Sequence, residues 1–193
     1  MSFFDKILIR INYRLWSHFK TNIYPVKKSP YDGRNLINTR ISNSSNLGSI
    51  ERLNIGDNVF IGHFNFIDAS NGVVIEEGCQ ITNYVSIISH SSHISIRLYG
   101  KHYVGSDMKA YIKGSVFIGK YTFVGPHSVI MPGTIIGKGC IVSAYSMLKG
   151  KFPDFSIIAG NPAIIVGDTR IIDESYLKEN PELKTFYEEW VKK

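Results

Sequence analysis

From Ile112 onward an aliphatic residue returns at every sixth position: Ile112, Ile118, Val124, Ile130, Ile136, Val142 and Leu148. Four places after each come Val116, Thr122, Ser128, Thr134, Cys140, Ser146 and Phe152, five of them small, and Gly119, Gly125 and Gly137 directly follow their anchors. A helix would space its apolar residues by about 3.6, and a sandwich strand would alternate and then turn. A period of six fits a triangular coil. Each side is a short strand, each corner a tight turn, and each anchor points into a shared interior. Small residues fit the crowded corners, and glycine tolerates the backbone angles found there. With about three hexapeptides to a coil, successive coils stack and their strands pair in parallel.

An earlier block repeats the pattern less cleanly. Ile55, Ile61 and Ile67 are six apart, as are Ile75, Ile81 and Ile87, while Ile41 and Leu47 begin the stack. The step of eight from Ile67 to Ile75 predicts a two-residue bulge around Ala69-Ser70-Asn71-Gly72. Between Ile87 and Ile112 the period disappears. That stretch predicts a loop thrown out of the coils at about 89–111, and loops on rigid scaffolds tend to carry function.

The ends follow other rules. Phe4, Ile7, Leu8, Ile11, Leu15 and Phe19 predict an amphipathic helix over 3–24. Asp173 and the pair Asn180-Pro181 read as helix starts, predicting helices near 173–179 and 181–191. The chain thus divides into an N-terminal helix and linker (1–30), a coil domain (31–167) and a C-terminal helical cap (168–193). Both ends are suited to covering the open sheet edges of the stack.

Charge refines this division. The net +6 is concentrated at one end: residues 1–30 hold six Lys/Arg against one acid, and the other 163 residues sixteen against fifteen. A nucleic-acid domain spreads its basic stripe over the folded surface, so nucleic acid is not expected as a partner. The basic N-terminal helix instead has the composition of a helix at a membrane surface, beside its duller role as a cap with a solvated basic face. No apolar run is long enough to span a bilayer, and the N-terminus lacks the features of a secretory signal. Cys79 and Cys140 lie far apart with no metal-ligand spacing, as free thiols in a reducing compartment do. A cytoplasmic protein is expected, with the membrane's inner face as its alternative place.

Four segments are familiar: Ile118-Gly119-Lys120-Tyr121-Thr122-Phe123-Val124-Gly125, Ile130-Met131-Pro132-Gly133-Thr134-Ile135-Ile136-Gly137, Ser143-Ala144-Tyr145-Ser146 and Ala159-Gly160-Asn161-Pro162-Ala163. Together they resemble the hexapeptide-repeat acetyltransferases over roughly residues 41–167, nearest to O-acetyltransferases of bacterial surface glycans. The resemblance implies a left-handed parallel β-helix, against the usual right-handed crossover preference. It also implies acetyl-CoA as acyl donor and a homotrimer with active sites between neighbouring subunits. Carried over by position, Gly125, Ser143 and Ala144 line the pantetheine groove and Asn161 and Pro162 lie near the adenine. Lys149 and Lys151 are the natural partners of CoA phosphates, though ordinary surface charge explains either lysine alone. The sequence departs from the family pattern in four places. Phe123 replaces a common Trp, and Pro126 has no amide hydrogen for an oxyanion. Lys149-Gly150-Lys151 shifts the basic group, and Ile164 stands where Lys or Arg is usual.

Acyl transfer to a hydroxyl needs a base, a donor for the oxyanion and a groove for CoA. Histidine suits the base because its pKa lies near neutrality. His90 and His93, in Ile88-Ser89-His90-Ser91-Ser92-His93 where the coils break into the loop, are the catalytic candidates. His90 fits the family's motif position best; a surface histidine in a polar loop is the plain alternative for each. His102 reads as a solvated loop residue, His63 and His127 as turn or subunit-contact residues, and His18 as structural. Tyr84, Arg97, Tyr99, Tyr103 and Tyr111 surround the loop and suit a sugar as well as they suit packing.

The expected activity is O-acetylation of a sugar hydroxyl in lipopolysaccharide or capsule biosynthesis. The alternative is N-acetylation of an amino sugar nucleotide. A zinc site like that of γ-class carbonic anhydrases, from His63, His90 and His93, is remote because the spacing does not match, and no metal is expected. A non-catalytic scaffold is equally remote, since two histidines stand at the loop boundary beside a CoA-type ending.

Overall fold

The computed structural model describes residues 21–192 together with Phe4, Ile7, Leu8 and Ile11. The core is a parallel β-solenoid of about six turns, the expected left-handed β-helix. Three sheets form its faces. The first carries Arg40–Ser42, Phe60–Ile61, Gln80–Ile81, Phe123–Val124, Ile141–Val142 and Ser156–Gly160. The second carries Asn46–Gly48, Phe66–Asp68, Ser86–Ile88, Val129–Ile130 and Met147–Leu148. The third carries Leu53–Ile55, Val73–Ile75, Val116–Ile118, Ile135–Ile136 and Lys151–Phe152.

The anchors stack in register. Ile41, Ile61, Ile81, Val124, Val142 and Ile158 form one interior column. Leu47, Ile67, Ile87, Ile130 and Leu148 form the second. Ile55, Ile75, Ile118, Ile136 and Phe152 form the third. The prism is filled by aliphatic side chains that exclude water, which is its main source of stability. The small residues four places after the anchors also point inward, and their hydroxyls answer corner carbonyls that the turns leave unpaired. Thr122 Oγ1 donates to Gly137 O at 2.9 Å, Ser128 Oγ to Ser143 O at 3.1 Å, and Ser146 Oγ to the same carbonyl at 2.7 Å. Gly125 shows why the corner demands glycine: an added Cβ would stand 2.7 Å from Ala144 N and Val142 O, both backbone atoms of the next coil.

Several expectations are corrected. Ile112 is not a coil anchor; Ile112–Lys113 pairs antiparallel with His90–Ser91 at the root of the loop, and the coil resumes at Val116. The predicted bulge at 69–72 is present and has a counterpart one coil earlier, a 3-10 turn at Ile50–Arg52. Both lie on the edge between the second and third faces, the same edge from which the loop emerges. The loop itself holds a short helix, Ser95–Tyr99, and a 3-10 turn, Gly100–His102.

At the N-terminal end, Phe4, Ile7, Leu8 and Ile11 are helical. The predicted helix does not reach 24, because Ile23–Pro25 is a strand antiparallel to Arg40–Ser42. Leu15, Phe19 and His18 lie outside the described residues. At the other end, Ala163–Asp168 folds back antiparallel on Ser156–Gly160. The helix that follows, Thr169–Glu179, begins four residues before Asp173: Asp168 caps it, accepting from Arg170 N at 2.9 Å. Asn180 and Pro181 open a 3-10 turn, Pro181–Leu183, before the last helix, Lys184–Val191. Among the described residues, no helix is long and apolar enough to cross a membrane.

Candidate active site

The edge between the second and third faces gathers the polar groups that the interior excludes. Asp68 ends a strand of the second face in the second coil, and Ser89-His90 leave the same face one coil later. Stacking places them together. His90 Nδ1 lies 2.6 Å from Asp68 Oδ2 and 3.0 Å from Ser70 Oγ. Ser70 Oγ and Ser89 Oγ each donate to Asp68 Oδ2 at 3.1 Å, and Ser70 N donates to Asp68 Oδ1 at 3.1 Å. Ser89 Oγ in turn accepts from Asn71 N at 2.9 Å. The bulge at 69–72 is therefore the cradle of the carboxylate.

Asp68 is nearly buried. Burial by itself pushes its carboxyl up, but the Ser70 amide and hydroxyl and the His90 ring outweigh it and hold the group below its ordinary value. An ionised carboxylate only accepts, so Nδ1 of His90 carries the hydrogen in this pair. In the neutral ring Nε2 is then the basic nitrogen. The other side of the imidazole is covered by Tyr111, whose ring stacks at 5.5 Å between centroids and 11° between planes. His90 is thus fixed in tautomer by Asp68 and in tilt by Tyr111, with Nε2 as its remaining proton acceptor.

His93 is placed differently. It is exposed, and its Nδ1 meets Ser91 Oγ at 2.7 Å. A hydroxyl both donates and accepts, so this contact selects no tautomer. Among the two candidates only His90 has a carboxylate behind it. His63 lies on the edge between the first and second faces, with Nδ1 2.7 Å from Ser42 Oγ. His63, His90 and His93 are therefore not brought together within one chain, and among the described residues there is no cluster of three metal-ligating side chains. His102 is exposed at the end of its 3-10 turn. Both cysteines are buried and free, and burial pushes Cys79 to about 12 and Cys140 to about 11, so neither is a nucleophile near neutrality.

The residues carried over for CoA divide between edges. Gly125, Ser143 and Ala144 follow strands of the first face, on the edge between the first and second faces. Asn161-Pro162 forms the turn directly above them, where Gly160 N donates to Ser146 Oγ at 3.2 Å. Lys149 lies instead on the edge that holds His90, and Lys151 faces outward from the third face. One face separates the two edges, a span of about 15–20 Å at about 3.3 Å per residue.

The edge with Gly125 carries one further feature. Phe64, Tyr84, His127 and Tyr145 stand at the same corner of four successive coils and stack ring on ring, with centroids 5.2, 4.8 and 4.7 Å apart. All four have left-handed backbone angles, φ between 57 and 60°. Tyr84 was expected beside the loop; it belongs to this ladder.

The family model described as bacterial transferase hexapeptide (six repeats) matches residues 115–150. That span carries the hexapeptide repeat. Comparison of its sequence with curated proteins gives no match. Solved structures share the fold of this chain at low identity. AntD, an N-acyltransferase from Bacillus cereus seen with dTDP and coenzyme A, is 19% identical with a TM-score of 0.55, over 74% of this chain and 92% of its own. A hexapeptide-repeat acetyltransferase from Vibrio cholerae is 19% identical with a TM-score of 0.53, over 65% and 70%. A maltose O-acetyltransferase from Clostridium difficile is 17% identical with a TM-score of 0.54, over 65% and 64%.

Sequence reasoning named His90 but missed Asp68, Ser70 and the stacking of Tyr111. A signal for the first two was present. The early coils are twenty residues long, as Ile41, Ile61 and Ile81 show, and twenty places before His90 stands Ser70, two residues after Asp68.

Proposed function

We infer that this hexapeptide-repeat protein is an acyl-CoA-dependent acyltransferase that acetylates a sugar hydroxyl in the synthesis of a bacterial surface glycan. The observation that carries the reading is the 2.6 Å contact between His90 Nδ1 and Asp68, which leaves Nε2 as the base at the root of the loop. The solved structures that share this fold include enzymes named for both O- and N-acyl transfer. Transfer to oxygen suits the Asp68–His90 pair better. A hydroxyl is a weak nucleophile that needs a base to take its proton as it attacks, whereas a neutral amine is nucleophilic enough to attack first and lose its proton afterwards.

The acceptor hydroxyl gives its proton to His90 Nε2 as its oxygen attacks the thioester carbonyl carbon of acetyl-CoA. The tetrahedral intermediate collapses, the carbon–sulfur bond breaks, and the imidazolium returns the proton to the departing CoA sulfur. Asp68 stabilises the imidazolium between the two steps. CoA lies along Gly125, Ser143 and Ala144, with its adenine end toward Asn161 and Pro162. Because that edge stands a face away from His90, the site joins the His90 edge of one copy to the Gly125 edge of a neighbour in a homotrimer. Lys149 and Lys151 then meet the CoA phosphates from the copy that supplies the histidine, and the loop around Tyr111 borders the acceptor.

Release of free thiol from acetyl-CoA, measured against a panel of sugars and amino sugar nucleotides, tests the reading. Native protein should turn over with a hydroxyl acceptor, His90→Ala should abolish that turnover, and His93→Ala should retain most of it. Unchanged turnover in His90→Ala removes His90 as the base. Activity confined to amino acceptors gives the N-acetyltransferase instead.

A further inference from the structure

The loop that leaves the third coil is a positive island. Residues 89–114 hold Arg97, Lys101, Lys109 and Lys113 against a single acid, Asp107. The rest of the chain beyond residue 30 holds twelve Lys/Arg against fourteen acids. All four loop cations are exposed. Charges of one sign gathered around a site raise the local concentration of substrates of the other sign.

Lys113 stands closest to the chemistry. It is the direct partner of His90 in the antiparallel ladder at the root of the loop, so the two side chains share a face, with Cβ atoms about 4.5–5.5 Å apart. Tyr111, which stacks on the His90 imidazole, also meets the lysine: Lys113 Nζ stands over its ring, 5.9 Å from the centroid. One aromatic ring thus holds both the imidazole and the ammonium. The acid that Lys113 meets is a poor partner. Asp107 Oδ1 is 3.7 Å away on a fully exposed side chain. Exposed pairs of this kind are worth little, so another anion can take the place of Asp107. Asp68 is already engaged by His90, Ser70 and Ser89.

Two plainer uses of this charge fail. A neighbouring copy would need acids to meet it. The edge between the first and second faces, which the proposed site brings opposite His90, has none: 43–46, 62–65, 82–85, 125–128, 143–146 and 160–162 contain no Asp or Glu. The CoA phosphates would need the cations higher up the prism. In the proposed site the adenine end of CoA lies toward Asn161 and Pro162 in the last coil, whereas the loop leaves the third. The acceptor remains. Resting on the acyl-transfer reading of His90, we propose that the acceptor is an anionic sugar, one that carries a carboxylate or a phosphate. The Lys113 ammonium binds that group while the reacting hydroxyl meets His90 Nε2. Arg97, Lys101 and Lys109 draw the anion to the loop.

Thiol release at saturating acetyl-CoA tests it, with glucose, glucuronic acid and glucose 1-phosphate as matched acceptors. An anionic sugar should exceed glucose in kcat/KM by at least about tenfold, the effect of one hydrogen bond to a charged group. Which of the two leads tells carboxylate from phosphate. That margin should shrink as salt rises. Lys113→Gln should remove about tenfold of it, and Lys113→Arg should keep most of it, which separates lost charge from lost fold. The triple variant Arg97→Gln/Lys101→Gln/Lys109→Gln should weaken the salt dependence. A second readout needs no turnover. The Cε1 proton of His90, assigned by its absence in His90→Ala, should shift saturably in the NMR spectrum as an anionic sugar is added. In Lys113→Gln that binding should weaken about tenfold. The proposal is overturned if glucose matches the anionic sugars in both readouts, or if Lys113→Gln keeps the full margin. It is equally overturned if neither anionic sugar moves the His90 signal. Saturable shifts with no turnover on any acceptor would sink the acyl-transfer reading and leave Lys113 as an anionic-sugar site.

Discussion

Asp68 is the residue on which the proposed site turns, through its 2.6 Å contact with His90. Three hydroxyl or amide donors and the His90 ring converge on its carboxylate. His90→Ala should lower kcat by about 10²–10⁴-fold, the range for loss of a positioned base. Asp68→Asn should lower it by at least about tenfold, because an amide neither fixes the tautomer nor stabilises the imidazolium. The same substitution has a stability signature. The folded carboxyl titrates below its unfolded value, so its contribution is fully present above the unfolded pKa of about 3.9 and is lost as pH falls through the lower folded value. Native protein should therefore exceed Asp68→Asn by about 1–3 kcal/mol at neutral pH. Thermal unfolding across pH should show that gap constant down to about pH 5 and closing below about pH 4. A gap that widens in acid would mean that the carboxylate is a burden to the fold rather than a support.

At the scale of single corners, the aromatic ladder explains an otherwise costly choice. Phe64, Tyr84, His127 and Tyr145 adopt left-handed angles that bulky side chains avoid. Each offsets that cost by stacking on the ring in the next coil, and stacked pairs contribute about 0.5–1.5 kcal/mol beyond their burial. Tyr84 has a ring on each side. Tyr84→Asn keeps a residue that tolerates the backbone angle but deletes two stacks, so urea unfolding should show a loss of about 1–3 kcal/mol. Tyr145→Asn, at the end of the series, should lose about half as much. The ladder also shows where legibility in the sequence stops. The aliphatic columns were legible because every anchor obeys one simple rule, that a side chain on a short inward-facing strand must be apolar. Corner residues obey no such rule. Phe64, Tyr84, His127 and Tyr145 share a corner but neither a residue type nor a fixed spacing, because the loop enters between Tyr84 and His127. Asp68 hides for a related reason: its partner is one coil away, at a distance set by the inserted bulge and not by the period of six. The start of the helix after the coils was misplaced because the cap, Asp168, is itself the last residue of a strand.

For the whole molecule, the decisive geometry is that the His90 edge and the Gly125 edge are different edges of one prism. If a working site takes one edge from each of two neighbours, two inactive variants should rescue one another. His90→Ala removes the proposed base and leaves the Gly125 edge intact. Ala144→Trp blocks the proposed CoA edge beside Gly125 at an exposed position, where a large side chain does not disturb the interior, and leaves His90 intact. Each homotrimer alone should be inactive. In a mixed trimer of either composition, a head-to-tail interface needs a good histidine on one side and an open groove on the other, so one site of the three, about a third, should work. Co-expression with two tags, purification of the mixed species and measurement of thiol release would show it. Sites contained within one chain would give no recovery at any mixing ratio, because every chain would carry one defect. Recovery near about a third, at native KM for acetyl-CoA, would mean that the prism is only half of the enzyme and that the threefold assembly makes the other half.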